Sequence, residues 1–200
     1  MGKGPGHRAV IAAIVLAAGL ARRMGRPKLL LDLAGKPVLR WSVEAVAPHV
    51  DDLIVVTGPE ATRVQEILHD LPVRFAVNPR PEDGQGASIA AGAAALTPAT
   101  RAVLVALGDQ PRLPPTVIPS LLATFAQRGA AIVAPVYRGV QGTPVLFAAE
   151  TFPELAGLTG DAGARTLVRA HPERVALVEL DHPMPVDVDT PEDLAKLHVK

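Results

Sequence analysis

Three observations predict an α/β fold built on a mostly parallel sheet. Short apolar runs alternate with helix-like segments, several runs are apolar at every position, and turn residues separate them. A strand apolar on both faces is one covered on both faces, as in parallel sheets flanked by helices. Right-handed crossovers then give a three-layer α/β/α arrangement of Rossmann-like type.

The predicted strands are 10–16, 53–57, 74–78, 102–107, 131–135, 144–147 and 175–180. The predicted helices are 37–47, 60–69, 87–96, 115–127, 164–170 and 191–198. Proline heads several of these helices, where its fixed φ and missing N–H suit the first turn. Thr190 before Pro191, Glu192 and Asp193 reads as an N-cap with acidic residues on the positive helix end. The glycine-containing stretch 137–142 reads as a hairpin that departs from simple alternation. No internal repeat or long linker divides the chain, so 1–8 is expected to be a flexible tail and 9–200 a single domain.

Lys plus Arg equal Asp plus Glu at 20 each, so no global field draws the protein to nucleic acid or a membrane. The lone Trp41 and Tyr137 offer no stacking platform for bases. The apolar run 10–18 is too short to span a bilayer, which needs roughly 20 residues. Cysteine is absent, which excludes disulfides, zinc–thiolate sites and thiol nucleophiles and suits a reducing cytoplasm. The six histidines show no metal-ligand spacing.

Ligands of open α/β sheets sit beyond the carboxyl ends of strands. The first such end is LAAGLARRMGRPKLLL, residues 16–31. Ala17, Ala18 and Gly19 let backbone N–H groups approach a ligand, and Arg22, Arg23, Arg26 and Lys28 follow within seven residues. Such a run can cradle a polyphosphate, arginine bidentately and lysine as a point charge. Read alone, it fits a solvated basic turn equally well. It is neither a Walker A loop, since five residues separate Gly19 from Gly25, nor a dinucleotide G-x-G-x-x-G loop. VLVALGDQP ends a second strand with Asp109, placed either to hold Mg²⁺ against triphosphate oxygens or to cap a turn; the basic loop favours the metal. PVDVDTPEDL adds Asp187 and Asp189, whose alternation in an extended stretch predicts opposite sides, so that only one faces a shared metal.

The segment LAAGLARRMGRPK resembles the signature of the nucleotidyltransferase superfamily with a glycosyltransferase-A-like, nucleotide-diphospho-sugar transferase fold: Arg23, Met24, Gly25 and Lys28 stand at matching positions. With GRPKLLL, GDQP, GTPVLF, GDAGAR and DVDTPEDL in that order, nearly the whole chain is similar to the molybdenum cofactor cytidylyltransferases of the MobA-like family. The resemblance implies that Leu16, Ala17, Ala18, Gly19, Arg23, Met24, Gly25 and Lys28 hold the nucleotide. It places Asn78, Gly86 and Ser88 at base and ribose. It makes Asp109 and Asp189 the Mg²⁺ ligands (Mn²⁺ as substitute, Asp187 the fallback), and gives Lys28, Arg23 and Asp109 the catalytic roles. Thr143, Asp161, Gly163 and Arg165 would meet the acceptor. Guanylyltransferases for the same cofactor show Asp-Lys where Pro27-Lys28 stands, which favours CTP. Thr143 replaces the histidine of the family's Gly-His-Pro, which bears on the acceptor.

The implied reaction joins a molybdopterin-type phosphate to the α-phosphorus of CTP and releases pyrophosphate. A phosphate monoester, with a second pKa of about 6, needs no general base. The partners implied are CTP, the cofactor, and a molybdenum hydroxylase or its maturation factor. The alternatives are another phosphorylated acceptor (a sugar or polyol phosphate), GTP-dependent guanylylation, and a non-catalytic factor that delivers nucleotide or cofactor.

Overall fold

The computed structural model describes residues 10–20 and 24–198. The expected tail, Arg22 and Arg23 lie outside the described residues. In chain order the elements are β1 (Val10–Ala17), β2 (Asp32–Leu33), β3 (Lys36–Pro37), α1 (Val38–Val46), β4 (Asp52–Thr57), α2 (Ala61–Ile67) and β5 (Arg74–Val77). There follow α3 (Gln85–Ala94), β6 (Thr100–Leu107), α4 (Val117–Arg128), β7 (Ile132–Tyr137), β8 (Val140–Gln141) and β9 (Val145–Ala148). The chain closes with α5 (Phe152–Ala156), α6 (Ala164–Ala170), β10 (Val175–Leu180) and α7 (Pro191–His198).

The main sheet runs β10-β7-β9-β6-β1-β4-β5, with β8 hydrogen-bonded to β7. β1 pairs in parallel with β4 and β6, β4 with β5, and β7 with β10, whereas β9 runs antiparallel to both β6 and β7. The chain leaves β1 toward β4 and returns on its other side as β6, so β1 is the topological switch point, where ligands of such sheets bind. β2 and β3 form a separate two-stranded ladder.

β1 shows why the sheet is covered on both faces. Ala13, Val15 and Ala17 point into one core with Leu39 and Val43 of α1, Val64 of α2 and Leu121 of α4. Ala12 and Ile14 point into the other with Ile89 of α3, Leu155 of α5 and Val168 of α6. Ala12, Ala13, Ile14 and Val15 are all fully buried, as a continuously apolar run demands.

The structure adjusts three expectations. The hairpin joins β7 to β8, and β7 continues through Pro135 to Tyr137. Helix α3 starts at Gln85, two residues early, because Gly84 takes φ 91° and serves as its N-cap. The five-residue α5 went unpredicted, being too short for a periodic signal. Among the described residues no helix is long and apolar enough to cross a membrane.

A paired-charge contact braces α1 against the end of α2: Arg40 donates to both Asp70 oxygens at 2.7 and 2.6 Å. Those hydrogen bonds hold the Asp70 carboxyl down at about 2. The depressed value means the contact stabilises the fold above the ordinary carboxylate pKa and fades as pH falls toward 2. In Arg40→Ala the Asp70 pKa, followed by NMR titration, is expected to return to about 4; an unchanged value would remove Arg40 as the cause.

Candidate active site

Three charged groups meet beyond the carboxyl ends of β1 and β6. Leu29 is buried in the core, and this anchors the single 3₁₀ turn Lys28–Leu30 whose first residue faces the sheet end. The Lys28 Nζ donates to Asp109 Oδ2 at 2.6 Å and to Asp189 Oδ1 at 2.7 Å. The side chains of Lys28 and Asp109 are 13% and 19% exposed, so solvent screens their attraction poorly. Burial alone would lower the Lys28 pKa, but Asp109 first and Asp189 next outweigh it and hold the ammonium above its ordinary value.

Asp109 is fixed by its neighbours. The Gly108 N–H bonds the Leu16 carbonyl at 3.0 Å, and the Ser42 hydroxyl donates to the Gly108 carbonyl at 2.9 Å. A β-carbon on Gly108 would stand 2.7 Å from the Leu16 oxygen, so the close approach of β6 to β1 requires glycine here. The fully buried Val188 donates its N–H to the Asp109 carbonyl at 3.0 Å and thereby carries Asp189 to the lysine. Asp193 locks the following turn: its Oδ2 accepts from the Thr190 N–H at 3.0 Å while its own N–H bonds the Thr190 hydroxyl at 3.2 Å.

The structure corrects the view that Asp187 and Asp189 face opposite sides. Residues 183–189 join no strand, so no pleat separates them, and both line the same cleft as Asp109. Asp187 remains open to the water of the cleft but is walled in by protein. That desolvation pushes its carboxyl above the ordinary range, against the hydrogen bond from Gln110; Asp109 and Asp189 push the same way.

The cleft holds about 330 Å³ between the β1 end and the start of α3. Of the expected nucleotide residues, Leu16, Ala18, Gly19, Lys28, Ser88 and Asp109 line it. Asn78 stands behind Ser88, its Nδ2 donating to the Ser88 Oγ at 3.0 Å, with both residues buried. Gly86 does not line the cleft. Its N–H is taken by the Gly160 carbonyl at 2.9 Å, and an added β-carbon would lie 2.7–2.8 Å from Thr159 backbone atoms. Met24 is likewise a core residue. Ala17 and Gly25 (φ 67°) border a different cavity of about 310 Å³, on the side of α2.

A second cavity of about 340 Å³ adjoins the cleft. Thr143, Asp161, Gly163 and Arg165 all line it, so the four expected acceptor residues do converge. Leu16, Gln85, Leu107 and Asp187 border both spaces. The Gln85 side chain reaches over Gly163, into the space where a β-carbon would stand. Gln85 and Gln110 escaped sequence reasoning. The only available signals were their places between Gly84 and Gly86 and beside Asp109.

Whether this donor set suits a divalent cation can be read from Asp109. Its Oδ1 is buried and has no hydrogen-bond partner, an arrangement costly for a carboxylate unless a cation completes it. Asp109 and Asp189 are hard oxygen donors of the kind that Mg²⁺ and Mn²⁺ take. The donor set fits Mg²⁺ or Mn²⁺. Among the described residues no group of three or more His, Asp or Glu is placed to hold a metal by itself.

Comparison with known proteins gives the same class. The MobA-like NTP transferase domain matches residues 13–175. A nicotine blue oxidoreductase of Paenarthrobacter nicotinovorans is 32% identical over 94% of this chain and 96% of its own. The purine catabolism protein PucB of Bacillus subtilis is 31% identical over 92% and 93%. Rv0371c from Mycobacterium tuberculosis superimposes with a TM-score of 0.87 at 30% identity, over 96% of this chain and 98% of that one. A complex of Rv0371c with manganese gives 0.80 at 28%, over 94% and 97%. A nucleotidyl transferase from Methanothermobacter, Mth528, gives 0.77 at 28%, over 94% and 96%. The protein is a nucleotidyltransferase by class. It belongs to the MobA-like NTP transferase domain family.

Proposed function

We propose that this chain transfers the CMP group of CTP to the terminal phosphate of a molybdopterin-type cofactor, with 9–200 acting as one transferase unit. The observation that carries the metal–nucleotide part is the Lys28–Asp109–Asp189 cluster at the switch point, with the buried Asp109 Oδ1 lacking a partner. The choice of CTP and of molybdopterin is supported by the ordered segments GRPKLLL, GDQP, GDAGAR and DVDTPEDL and by Pro27 before Lys28.

Asp109 and Asp189 would hold Mg²⁺, with Mn²⁺ as substitute; bound there, the ion supplies Lewis-acid polarisation of the α-phosphate. The Leu16–Gly19 backbone cradles the triphosphate. Lys28, joined by Arg23 from the loop, takes up the charge that grows on the leaving pyrophosphate. Thr143, Asp161, Gly163 and Arg165 hold the acceptor in the adjoining cavity, which sets its phosphate toward the cleft. The acceptor oxygen is already deprotonated near neutral pH, so no side chain has to remove a proton.

One relative bears the name of an oxidoreductase, yet this chain lacks the G-x-G-x-x-G loop with which dinucleotide-dependent hydride transfer is usually associated. Pyrophosphate release separates the readings when CTP, GTP, ATP and UTP are each paired with molybdopterin cofactor and with sugar and polyol phosphates. CTP with molybdopterin is expected to give the highest rate. A preference for GTP or for a sugar phosphate would reassign nucleotide or acceptor, and no release with any pair would favour a binding and delivery role.

A further inference from the structure

A line of hydrogen bonds runs from Thr143, at the edge of the acceptor cavity, through Gln110 to Asp187. The Thr143 hydroxyl donates to Gln110 Oε1 at 2.9 Å, and Gln110 Nε2 donates to Asp187 Oδ1 at 2.7 Å. Thr143 and Gln110 are 5% and 3% exposed, so the bond between them faces little competition from water. Thr143 is itself held, because the Tyr137 hydroxyl donates to its carbonyl at 2.7 Å. Gly142 beside it leaves room for that ring: a β-carbon would lie 2.7 Å from the Tyr137 edge.

The direction of the line follows from donor and acceptor inventories. An ionised carboxylate only accepts, so Gln110 must turn its amide nitrogen to Asp187 and its oxygen to the hydroxyl. Thr143 supplies the donor that makes this orientation the satisfied one. Asp187 Oδ1 is thereby fixed, while Oδ2 makes no hydrogen bond among the described residues. Asp187 borders both cavities, so this acceptor oxygen stands where nucleotide and second substrate meet. Arg165 lies near enough to act on Asp187 electrostatically and borders the same acceptor cavity. The acceptor cavity therefore offers a hydrogen-bond acceptor in Asp187 and a cation in Arg165.

We propose that Thr143 and Gln110 are positioning residues that aim Asp187 at an N–H or O–H donor of the acceptor molecule, and that Asp187 thereby determines acceptor specificity. The proposal rests on the transferase reading and adds to it the polarity of the group recognised. A ligand suited to this cavity carries a hydrogen-bond donor near Asp187 and an anionic group near Arg165.

Isothermal titration with CTP alone and with molybdopterin cytosine dinucleotide tests it. Asp187→Asn, which changes no buried group, and Thr143→Val are each expected to weaken the dinucleotide about tenfold, the scale of one hydrogen bond to a charged group. CTP affinity should stay within about twofold in Thr143→Val, since Thr143 borders the acceptor cavity and not the nucleotide cleft, and should fall less than dinucleotide affinity in Asp187→Asn, since Asp187 borders both. Thr143→Ser keeps the hydroxyl and should recover dinucleotide binding. Equal losses for both ligands, no loss, or failure of Thr143→Ser to recover would overturn the proposal. Wild-type protein that binds CTP but not the dinucleotide would overturn the acceptor and this proposal together; binding neither would overturn the transferase reading itself.

Discussion

Asp109→Ala is expected to lower nucleotidyl transfer by at least about 10³-fold while leaving the fold intact, a loss on the scale of removing preorganised charge stabilisation. The reason lies in the two oxygens of one carboxylate. Oδ2 is engaged by Lys28 at 2.6 Å, whereas Oδ1 is buried with no hydrogen-bond partner. Among the described residues no other buried carboxylate oxygen lining this cleft lacks a partner. The fold survives because Asp109 holds its neighbours through its backbone carbonyl, which accepts from Val188, and that contact persists in alanine. Circular dichroism checks the fold and pyrophosphate release the rate. Near-normal Mg²⁺-dependent turnover would remove Asp109 from the mechanism.

Lys28→Met should have the second largest effect, and in two readouts that move differently. Turnover is expected to fall about 10²- to 10³-fold through loss of charge stabilisation on the leaving group. Stability without divalent metal should drop by about 2–4 kcal/mol, because Asp109 and Asp189 are left facing each other without the ammonium between them. The same repulsion strengthens their pull on a cation. Mg²⁺ or Mn²⁺ should therefore raise the melting temperature of Lys28→Met more than that of the wild type. An equal or smaller rise would mean that these carboxylates are not the metal ligands.

Much of the fold was legible because its signals are local. Strand Val175–Leu180 and helix Ala164–Ala170 match their predicted bounds, since turn residues close both ends. Where a boundary moved, a neighbour outside the segment decided it. Gly84 and Gly86 look like helix breakers in sequence, yet α3 begins between them: Gly84 is its N-cap, and residues 159–161 pack so closely that side chains at either glycine would collide.

The site was legible in its residue types and less so in its arrangement. Lys28, Asp109 and Asp189 were each identified from their own motifs. Their meeting at one point spans separations of 81 and 161 residues, which no local pattern encodes. The placing of Asp187 on the far side assumed a pleated strand. Pro183 and Pro185 offer no N–H for a ladder, and the stretch runs unpaired with both aspartates turned to the cleft. Gln110 carried no signal of its own, because a glutamine in a turn acquires a role only when the fold brings Thr143 and Asp187 to its two ends.

Nucleotidyl transfer itself is tested most directly by the fate of the phosphates. CTP labelled at the α- or the γ-phosphorus is incubated with molybdopterin cofactor, Mg²⁺ and the wild-type protein. The α-label is predicted to appear in the dinucleotide product and the γ-label in pyrophosphate, both abolished by Asp109→Ala. Transfer of the γ-label to the acceptor, or its release as inorganic phosphate with the α-label left in CDP, would contradict nucleotidyl transfer.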